Sequence, residues 1–369
     1  MNQHELPRIG ILQRVLPVYR AHLFDQLAEV YGGKVSVFAG KGRKQEMISP
    51  AVPQRAHYYF AHNHHFLHGA FYTCWQGGLL AWLKEWDPHV LIMEANPRYL
   101  HSPAALRWMR SHGRKVIGWG LGAPVISHDI LGIRHCLRKR FVRQFDAIIT
   151  YSTQGAREYQ EIAIDPSRIF IAPNAATPRP TRVSPDRPDV YRGGKPVIVF
   201  VGRLQERKRV DVLIEACAYL PAESQPLLWV IGDGPDRGAL EQLAREIYPL
   251  ATFFGALHGN DLGQRLAMAD LFILPGTGGL AVQEAMSYGL PVIVGEADGT
   301  QSDLVRDENG WLLSDPSPRA LAKLMVEALA DVAALREKGR ESYRIVSEEI
   351  NLENMVSVFS NAISEVMRD

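Results

Sequence analysis

The sequence predicts an α/β protein made of two Rossmann-like domains. Short apolar runs that read as strands alternate with helix-compatible segments along the whole chain, which is typical of parallel sheets with crossover helices. A length of 369 residues is too great for one ordinary core and suits two. A proline-rich stretch without apolar periodicity, residues 175–196, separates the halves. We therefore expect one domain at residues 1–178, a second at 179–350 and a closing helix at 351–369.

Composition narrows the functional class. Hydrophobic residues make up 46% and charged residues 22%, as in ordinary globular proteins, and a net charge of +1 argues against a dedicated nucleic-acid binder. The three cysteines, Cys74, Cys136 and Cys217, lie far apart, which argues against a disulfide framework or a zinc site and fits a reducing compartment. Neither a signal-peptide pattern nor an apolar run of membrane-spanning length is seen. We expect a cytoplasmic protein.

The first domain opens as a Rossmann-like unit. Its first elements are a strand, a loop, a helix and a strand, at residues 8–13, 15–20, 22–31 and 34–39. The loop after a first strand lies at the carboxyl edge of the sheet, so Arg14, Tyr19 and Arg20 either face a ligand or are solvated loop residues. Further strands are expected at 90–94, 115–120, 146–152 and 168–174, and further helices at 78–86, 99–112 and 155–162.

Two patterns in this domain look like a metal site and an NAD site, and we reject both interpretations. The histidines of residues 62–68 lack a helical i, i+4 pair with an acidic partner, so an exposed loop or part of an acceptor pocket is favoured over a metal site. The turn Gly118-x-Gly120-x-Gly122 lacks the G-x-G-x-x-G spacing and lies far from the first strand, which argues against an NAD site.

The segment from Ile133 to Phe145 is basic and amphipathic. Its apolar residues 133, 137, 141 and 145 fall on one helical face, and no acidic residue interrupts residues 130–144. One interpretation is a patch for anionic lipid head groups or a lipid-linked diphosphate acceptor. The other is an ordinary core helix with a solvated basic side.

Three glycine-containing loops follow strands in the second domain. Gly202, Arg203 and Lys208 follow the buried strand 197–201, so that two cationic side chains stand in one loop after a strand. The turn with Gly232 and Gly234 follows strand 226–232. His258 follows the short strand 251–254, where it should lie near a bound base.

The stretch from Asp270 to Val294 combines strand, glycine-rich turn, helix and strand. Gly278 and Gly279 stand where the strand passes into the helix beginning at Leu280, a position at which backbone amides and the helix dipole favour a phosphate. Glu284 lies about one turn further on, where a carboxylate can accept hydrogen bonds from ribose hydroxyls. Together these features indicate a nucleoside diphosphate.

This stretch resembles the nucleotide-sugar loop of the retaining glycosyltransferases of family 4, the glycosyl transferases group 1. The family pattern is Glu-x-Phe-Gly followed by Glu-Ala-Met. Gly279 and Glu284-Ala-Met match it, whereas the first glutamate falls on Gly276 and the phenylalanine on Gly278. Gly202-Arg-Leu followed by Lys208 resembles the second hallmark of the family, although the glycine that often follows the lysine is Arg209 here.

The resemblance implies the GT-B fold, in which two Rossmann-like domains face each other across a cleft. The second domain would hold the donor, the first the acceptor, and the helix at 351–369 would return to the first domain. It also implies transfer of a sugar from a nucleotide diphosphate sugar with retention of configuration and no required metal. The catalytic residues would be Arg203, Lys208 and Glu284. Glu284 would also bind the donor, together with Gly202, Gly232, Gly234, His258, Gly278, Gly279 and Leu280.

The resemblance further implies a partner and a pathway. The acceptor would be a glycan or lipid-linked molecule in cell-surface polysaccharide or lipopolysaccharide synthesis, met at the inner face of the membrane through Ile133–Phe145. His128 or Asp129 would face it. Two alternatives stay open: an enzyme like the nucleotide-sugar 2-epimerases of the GT-B fold, and a binding protein without catalysis, to which Gly276 points.

Overall fold

The computed structural model describes residues 6–43, 46, 50–123, 133–295 and 299–368, without the side chains of Ala70, Ile133 and Arg134. The chain divides into two compact units. The first comprises Met1–Ala176 and Leu352–Asp369, and the second is Thr177–Asn351. The acceptor-side candidates His128 and Asp129 lie outside the described residues.

The first unit contains an eight-stranded sheet with the order β4-β3-β2-β1-β5-β6-β7-β8, parallel except for the β3–β4 pair. Its strands are β1 (Ile9–Val15), β2 (Val35–Gly40), β3 (His57–Phe66), β4 (Thr73–Gly77), β5 (Val90–Glu94), β6 (Lys115–Gly120), β7 (Ala147–Thr150) and β8 (Ile169–Ile171). Its helices are α1 (Val18–Val30), α2 (Leu79–Trp86), α3 (Ser102–Ser111), α4 (Ile133–Val142), α5 (Thr153–Glu161) and, at the end of the chain, α13 (Leu352–Arg368).

Helix α13 packs within the first unit. Its apolar side chains, including Met355 and Phe359, are buried in the same core as α1 and the central strands. The Phe359 ring meets the edge of the Trp119 indole at a centroid separation of 4.9 Å. The apolar stripe that predicts this helix from the sequence is therefore the face that the sheet covers.

Two expectations for the first unit are wrong. Residues 62–66 belong to strand β3, not to a loop, because they pair antiparallel with β4. Helix α1 begins at Val18, so Tyr19 and Arg20 lie in its first turn. Arg20 is buried, and its Nη2 donates to Asn174 Oδ1 at 2.6 Å. Arg20 is therefore neither a solvated loop residue nor exposed to a ligand.

The second unit contains a six-stranded parallel sheet with the order β11-β10-β9-β12-β13-β14. Its strands are β9 (Val197–Val201), β10 (Leu227–Ile231), β11 (Ala251–Gly255), β12 (Leu271–Leu274), β13 (Val292–Gly295) and β14 (Gly310–Leu313). Its helices are α6 (Val210–Tyr219), α7 (Arg237–Ile247), α8 (Gly259–Met268), α9 (Leu280–Met286), α10 (Gln301–Leu304), α11 (Pro318–Ala330) and α12 (Val332–Glu348). Strand β14 pairs parallel with β13.

Helix α4 departs from the face that its period predicts. Phe141 and Phe145 are buried, but Leu137 is 59% exposed, so the predicted stripe does not face the core along its whole length. The exposed Leu137 side chain lies beside the basic residues Arg138, Lys139 and Arg140. Within the described residues, none of the helices combines the length and the apolar character needed to cross a bilayer.

Candidate functional site

The strand order of the second unit defines one crevice. Counted along the chain from β9, the sheet has the order 3-2-1-4-5-6, with the direction of winding reversing between β9 and β12. In open α/β sheets, ligands bind beyond the carboxyl ends of the strands at such a switch point. The loops after β9 and β12 are residues 202–209 and 275–279, which hold the candidates Gly202, Arg203, Lys208, Gly278 and Gly279.

Lys208 joins these two loops. Its Nζ donates to the carbonyl oxygen of Thr277, and a Cβ added at Gly278 would overlap that ammonium group. A Cβ at Gly202 would lie 3.9 Å from Lys208 Cε. The Lys208 side chain therefore lies at the switch point, between Gly202 and Gly278. Arg203 is half-buried in the same loop.

Gly276 is closed in by backbone. A Cβ there would overlap the carbonyl oxygen of Arg207 and lie 2.7 Å from the carbonyl carbon of Lys208. The amide of Thr277 donates to the same Arg207 oxygen at 2.9 Å. The position at which the family carries its first glutamate therefore has no room for any side chain here, because residues 207–208 occupy the space.

The residue after Lys208 shows why glycine suits that place. Arg209 has φ +53° and ψ +42°, the left-handed conformation that L side chains adopt at a cost, and it precedes α6. Its guanidinium lies 3.7 Å from the Asp211 carboxylate.

Gly232 and Gly234 bring the loop after β10 against the loop after β9. A Cβ at Gly232 would overlap the carbonyl oxygen of Gly202, and one at Gly234 would overlap that of Leu204. Leu204 donates its amide to Asp233 O at 2.9 Å. These glycines are thus required for close packing between the two loops, and they shape the wall of the crevice.

Glu284 lies in α9, half-buried, beside a cavity of about 230 Å³ bounded by residues 177–182, Ser287 and Tyr288. Burial raises the pKa of the Glu284 carboxyl, and the nearby His258 imidazole opposes that shift. His258 is exposed and immediately precedes α8. The structure thus brings Glu284 and His258 into electrostatic contact, two candidates that the sequence separates by 26 positions.

Helix α9 is short, and side chains that sequence reasoning missed hold it in place. It spans seven residues, with Gly279 preceding Leu280. Gln283 is buried and its Nε2 donates to Ile350 O at 2.7 Å. Gln301 Nε2 donates to Gly278 O at 3.4 Å. The one signal in the sequence is a glutamine beside Glu284 within an apolar helix, which does not by itself distinguish an anchor from a ligand contact.

The first unit has its own crevice at the switch point between β1 and β5. The amide of Arg14 donates to Glu94 Oε2 at 2.5 Å, and the Arg14 guanidinium pairs with Glu46 at 2.8 Å. Burial raises the pKa of Glu94, although its hydrogen bond with Arg14 acts the other way. A cavity of about 350 Å³ is lined by Glu94, Asn96, Trp119 and Arg138, among others.

Comparison with known proteins identifies the second unit. Residues 186–344 match the sequence model of the family described as "Glycosyl transferases group 1". The second unit is thus similar to this family over most of its length. This confirms the resemblance drawn from Gly202-Arg-Leu and Glu284-Ala-Met. The matched segment contains every candidate catalytic residue, whose roles stay predictions.

Two curated relatives align with less than half of the chain, and the chain spans less than half of their length. A GDP-mannose-dependent alpha-mannosyltransferase of Mycobacterium tuberculosis is 35% identical over 167 residues, which cover 42% of this chain and 42% of the relative. The lipopolysaccharide core biosynthesis glycosyltransferase LpsE of Rhizobium meliloti is 30% identical, covering 40% of this chain and 44% of the relative.

Solved structures resemble the whole chain. The lipopolysaccharide outer core galactosyltransferase WaaB in its apo form covers 97% of this chain and 99% of its own, with a TM-score of 0.70 and 16% identity. Anabaena HepE in complex with UDP covers the same shares, with a TM-score of 0.67 and 15% identity. These likenesses confirm the GT-B fold class.

Proposed function

We propose that this protein is a retaining glycosyltransferase that takes a hexosyl group from a nucleotide diphosphate sugar. The observation that carries the proposal is the position of Lys208. Its ammonium group lies at the switch point of the second sheet, between Gly202 and Gly278, in a segment that matches the group 1 family. An anion that enters this crevice meets a fixed cation and glycine backbone that allows close approach.

In this proposal the diphosphate of the donor lies against the loops after β9 and β12. Negative charge grows on the leaving diphosphate as the glycosidic bond breaks, and Arg203 and Lys208 stabilise it there. Glu284 accepts hydrogen bonds from the ribose hydroxyls. The leaving phosphate oxygen assists the incoming hydroxyl on the same face of the sugar, so configuration is retained without an enzyme nucleophile.

The two cations make a metal unnecessary in this scheme. Among the described residues, no group of three His, Cys, Asp or Glu side chains is arranged to hold a metal ion. Charge neutralisation then rests on Arg203 and Lys208. Addition of EDTA should leave turnover unchanged, and loss of activity on chelation, restored by Mg²⁺, would contradict this part of the proposal.

We further propose that the acceptor is a glycan or lipid-linked molecule, met at the cytoplasmic face of a membrane during cell-surface polysaccharide synthesis. Helix α4 supports this, since its basic side chains stand beside the exposed Leu137. Replacing Arg138, Lys139 and Arg140 with glutamate should abolish sedimentation with anionic vesicles. Unchanged sedimentation would remove α4 from the membrane contact.

The decisive experiment is thermal stabilisation by UDP, GDP, ADP and dTDP. A nucleotide that binds only the folded protein raises the melting temperature, by an amount set by its concentration relative to Kd. We expect a shift with one nucleotide, lost in Glu284→Ala. The absence of a shift with all four would overturn the donor site.

A second candidate function is nucleotide-sugar binding without transfer. The closed position Gly276 favours it, because the residue that touches the donor sugar in the family has no counterpart there. Product analysis separates the two. Release of the free nucleoside diphosphate that depends on an acceptor supports transfer, whereas binding of the donor without release in the presence of acceptor panels supports the binding protein.

A further inference from the structure

Strands β3 and β4 form a two-stranded ribbon that continues past the end of the first sheet. Residues 57–61 of β3 pair with β2, whose last partner is Gly40. Residues 62–66 pair only with β4, as an antiparallel ribbon that we define as residues 62–77. Because β2 and β3 are parallel, the ribbon extends beyond the carboxyl edge of the sheet, the edge on which the Arg14 and Glu94 crevice opens.

The inner face of the ribbon is polar and fixed. Asn63 Nδ2 donates to the carbonyl oxygens of Arg14 at 2.7 Å and Lys41 at 2.9 Å. Gln76 is buried, and its Nε2 donates to Gln13 O at 3.1 Å. These bonds attach the ribbon to the end of β1 and to the loop after β2. Its orientation relative to the crevice is therefore set by the fold.

The outer face and tip are apolar and lie in solvent. Among the exposed side chains are Phe66 (48%), Leu67 (64%), Phe71 (67%) and Trp75 (44%), and the Trp75 ring packs beside His64 at 5.3 Å between centroids. Leu67 has φ +57°, in the left-handed region that a leucine rarely adopts. The backbone of the turn is thus strained, and the turn also leaves a large apolar side chain in water. This combination is typical of a functional surface.

The ribbon itself carries no acidic residue, and Glu46, which lies near His65, is paired with Arg14 and Arg43. The sequence contains no aspartate or glutamate from Met47 to Lys84, whereas five histidines lie between residues 57 and 68. Lys41 Nζ stands 5.8 Å from the centre of the exposed Phe60 ring. A surface of aromatic side chains with a lysine nearby and no acidic residue of its own complements the interface of an anionic bilayer, in which aromatic rings lie at head-group depth.

We propose that the ribbon docks the first unit onto an anionic lipid bilayer, with Phe66, Leu67 and Phe71 inserted among the head groups. An aromatic platform for a glycan chain is the competing occupant. Glycan platforms set hydrogen-bonding groups beside their rings, as His64 does beside Trp75, but the tip side chains Phe66, Leu67 and Phe71 offer no such group. Docking on the ribbon would turn the crevice of Glu94 toward the lipid surface. The inference rests on the proposed function where it names the lipid bilayer as the source of the acceptor. Docking itself requires no donor.

The test is co-sedimentation of the full chain with vesicles of phosphatidylglycerol and phosphatidylethanolamine, without nucleotide. Changing Phe66, Leu67 and Phe71 to serine should lower the partition coefficient roughly a hundredfold, because three large apolar side chains lose their burial in the interface. The single variant Phe71→Ser should lower it several-fold and keeps the test valid should the triple variant fold poorly. Serine at Val183, Val190 and Val326, three exposed valines of the second unit, is the matched control and should change nothing.

Each other outcome overturns the inference. Wild-type protein that stays in the supernatant, or a tip variant that sediments like the wild type, removes the ribbon as the docking surface. Equal binding to phosphatidylcholine vesicles removes the preference for anionic lipid. Retardation in a dextran-containing native gel that the tip variant loses, without vesicle binding, would make the ribbon a glycan platform. Nucleotide-dependent thermal stabilisation of the tip variant is measured separately, so that failure of the donor site and failure of docking are distinguished.

Discussion

Restoring the family glutamate at Gly276 should damage the protein. By family pattern alone, Gly276→Glu recreates a residue that touches the donor sugar and should raise activity. The structure predicts the opposite, because even a Cβ overlaps the carbonyl oxygen of Arg207. Gly276 is not among the glycines with positive φ, so the collision alone sets the cost. Gly276→Ala isolates that collision from the effects of a longer side chain.

The magnitude follows from overpacking, which costs about 1–3 kcal/mol in a well-packed site. The obstacle is backbone, which yields less readily than a side chain, so we expect the upper half of that range. For a unit the size of Thr177–Asn351, each kcal/mol moves the melting temperature by about 2–4 °C. Gly276→Ala should therefore lower it by roughly 4–12 °C. Relief of the collision moves residues 207–208, and with them the Lys208 ammonium group, so nucleotide affinity falls as well.

Urea unfolding and calorimetry, each with and without the stabilising nucleotide, measure both effects. For stability without nucleotide, Gly279→Ala is the matched control three residues away, since its Cβ would make ordinary contacts, 3.6 Å from Leu304 Cδ1 and 3.8 Å from Thr300 Oγ1. We expect it to cost about 0.5–1 kcal/mol, because glycine is preferred to alanine at the residue that precedes a helix. If Gly276→Glu melts like the wild type and turns over faster, the steric argument is refuted and the family glutamate has room after all.

Three further predictions concern charged groups. Arg203→Ala combined with Lys208→Ala should lower turnover by orders of magnitude with little change in stability, since both act on charge that develops in the transition state; near-normal single-turnover rates would contradict this. Burial raises the pKa of Glu284 in the folded protein above its usual 4.5. The ionised carboxylate therefore lowers the free energy of unfolding at pH values above the raised pKa. Below pH 4.5 the carboxyl is protonated in both states and this effect is absent. Scanning calorimetry should find Glu284→Gln more stable than the wild type at pH 7 but not at pH 4. Nucleotide binding to the wild type should weaken as the pH falls through the raised pKa of Glu284. Identical pH profiles for the two proteins would contradict the assignment. Arg336 pairs with Asp270 at 2.7 Å in the interior of the second unit. Arg336→Ala leaves a buried carboxylate without its partner and should lower the free energy of unfolding in urea by about 3–5 kcal/mol. A change below about 1 kcal/mol would show that water reaches the pair.

Local periodicity was sufficient for most of the elements. Strand β12 and helix α9 begin where the sequence predicts, because a continuous apolar run closed by Pro275 and glycines allows few other conformations. The histidines at residues 62–65 were misassigned as a loop, because a strand of aromatic and imidazole side chains shows weak alternation until its partner β4 is known. The helical period placed Leu137 on one face with Phe141 and Phe145, but it could not tell whether a neighbour covers that turn of the helix.

The candidate site divides in the same way. Which loops carry Lys208, Gly278 and Glu284 follows from the sequence, since each loop directly follows a buried strand and parallel strands end at a common edge. Two features of the site depend on contacts between residues about 70 positions apart, which no local pattern encodes. Lys208 donates a hydrogen bond to Thr277, and backbone fills the place of the family glutamate at Gly276. The sequence alone thus determined the fold class and the chemistry available at the crevice, because both follow from short-range periodicity and residue type. Only the tertiary structure decided which atoms meet there and which aromatic surface stays in water, because long-range packing sets them.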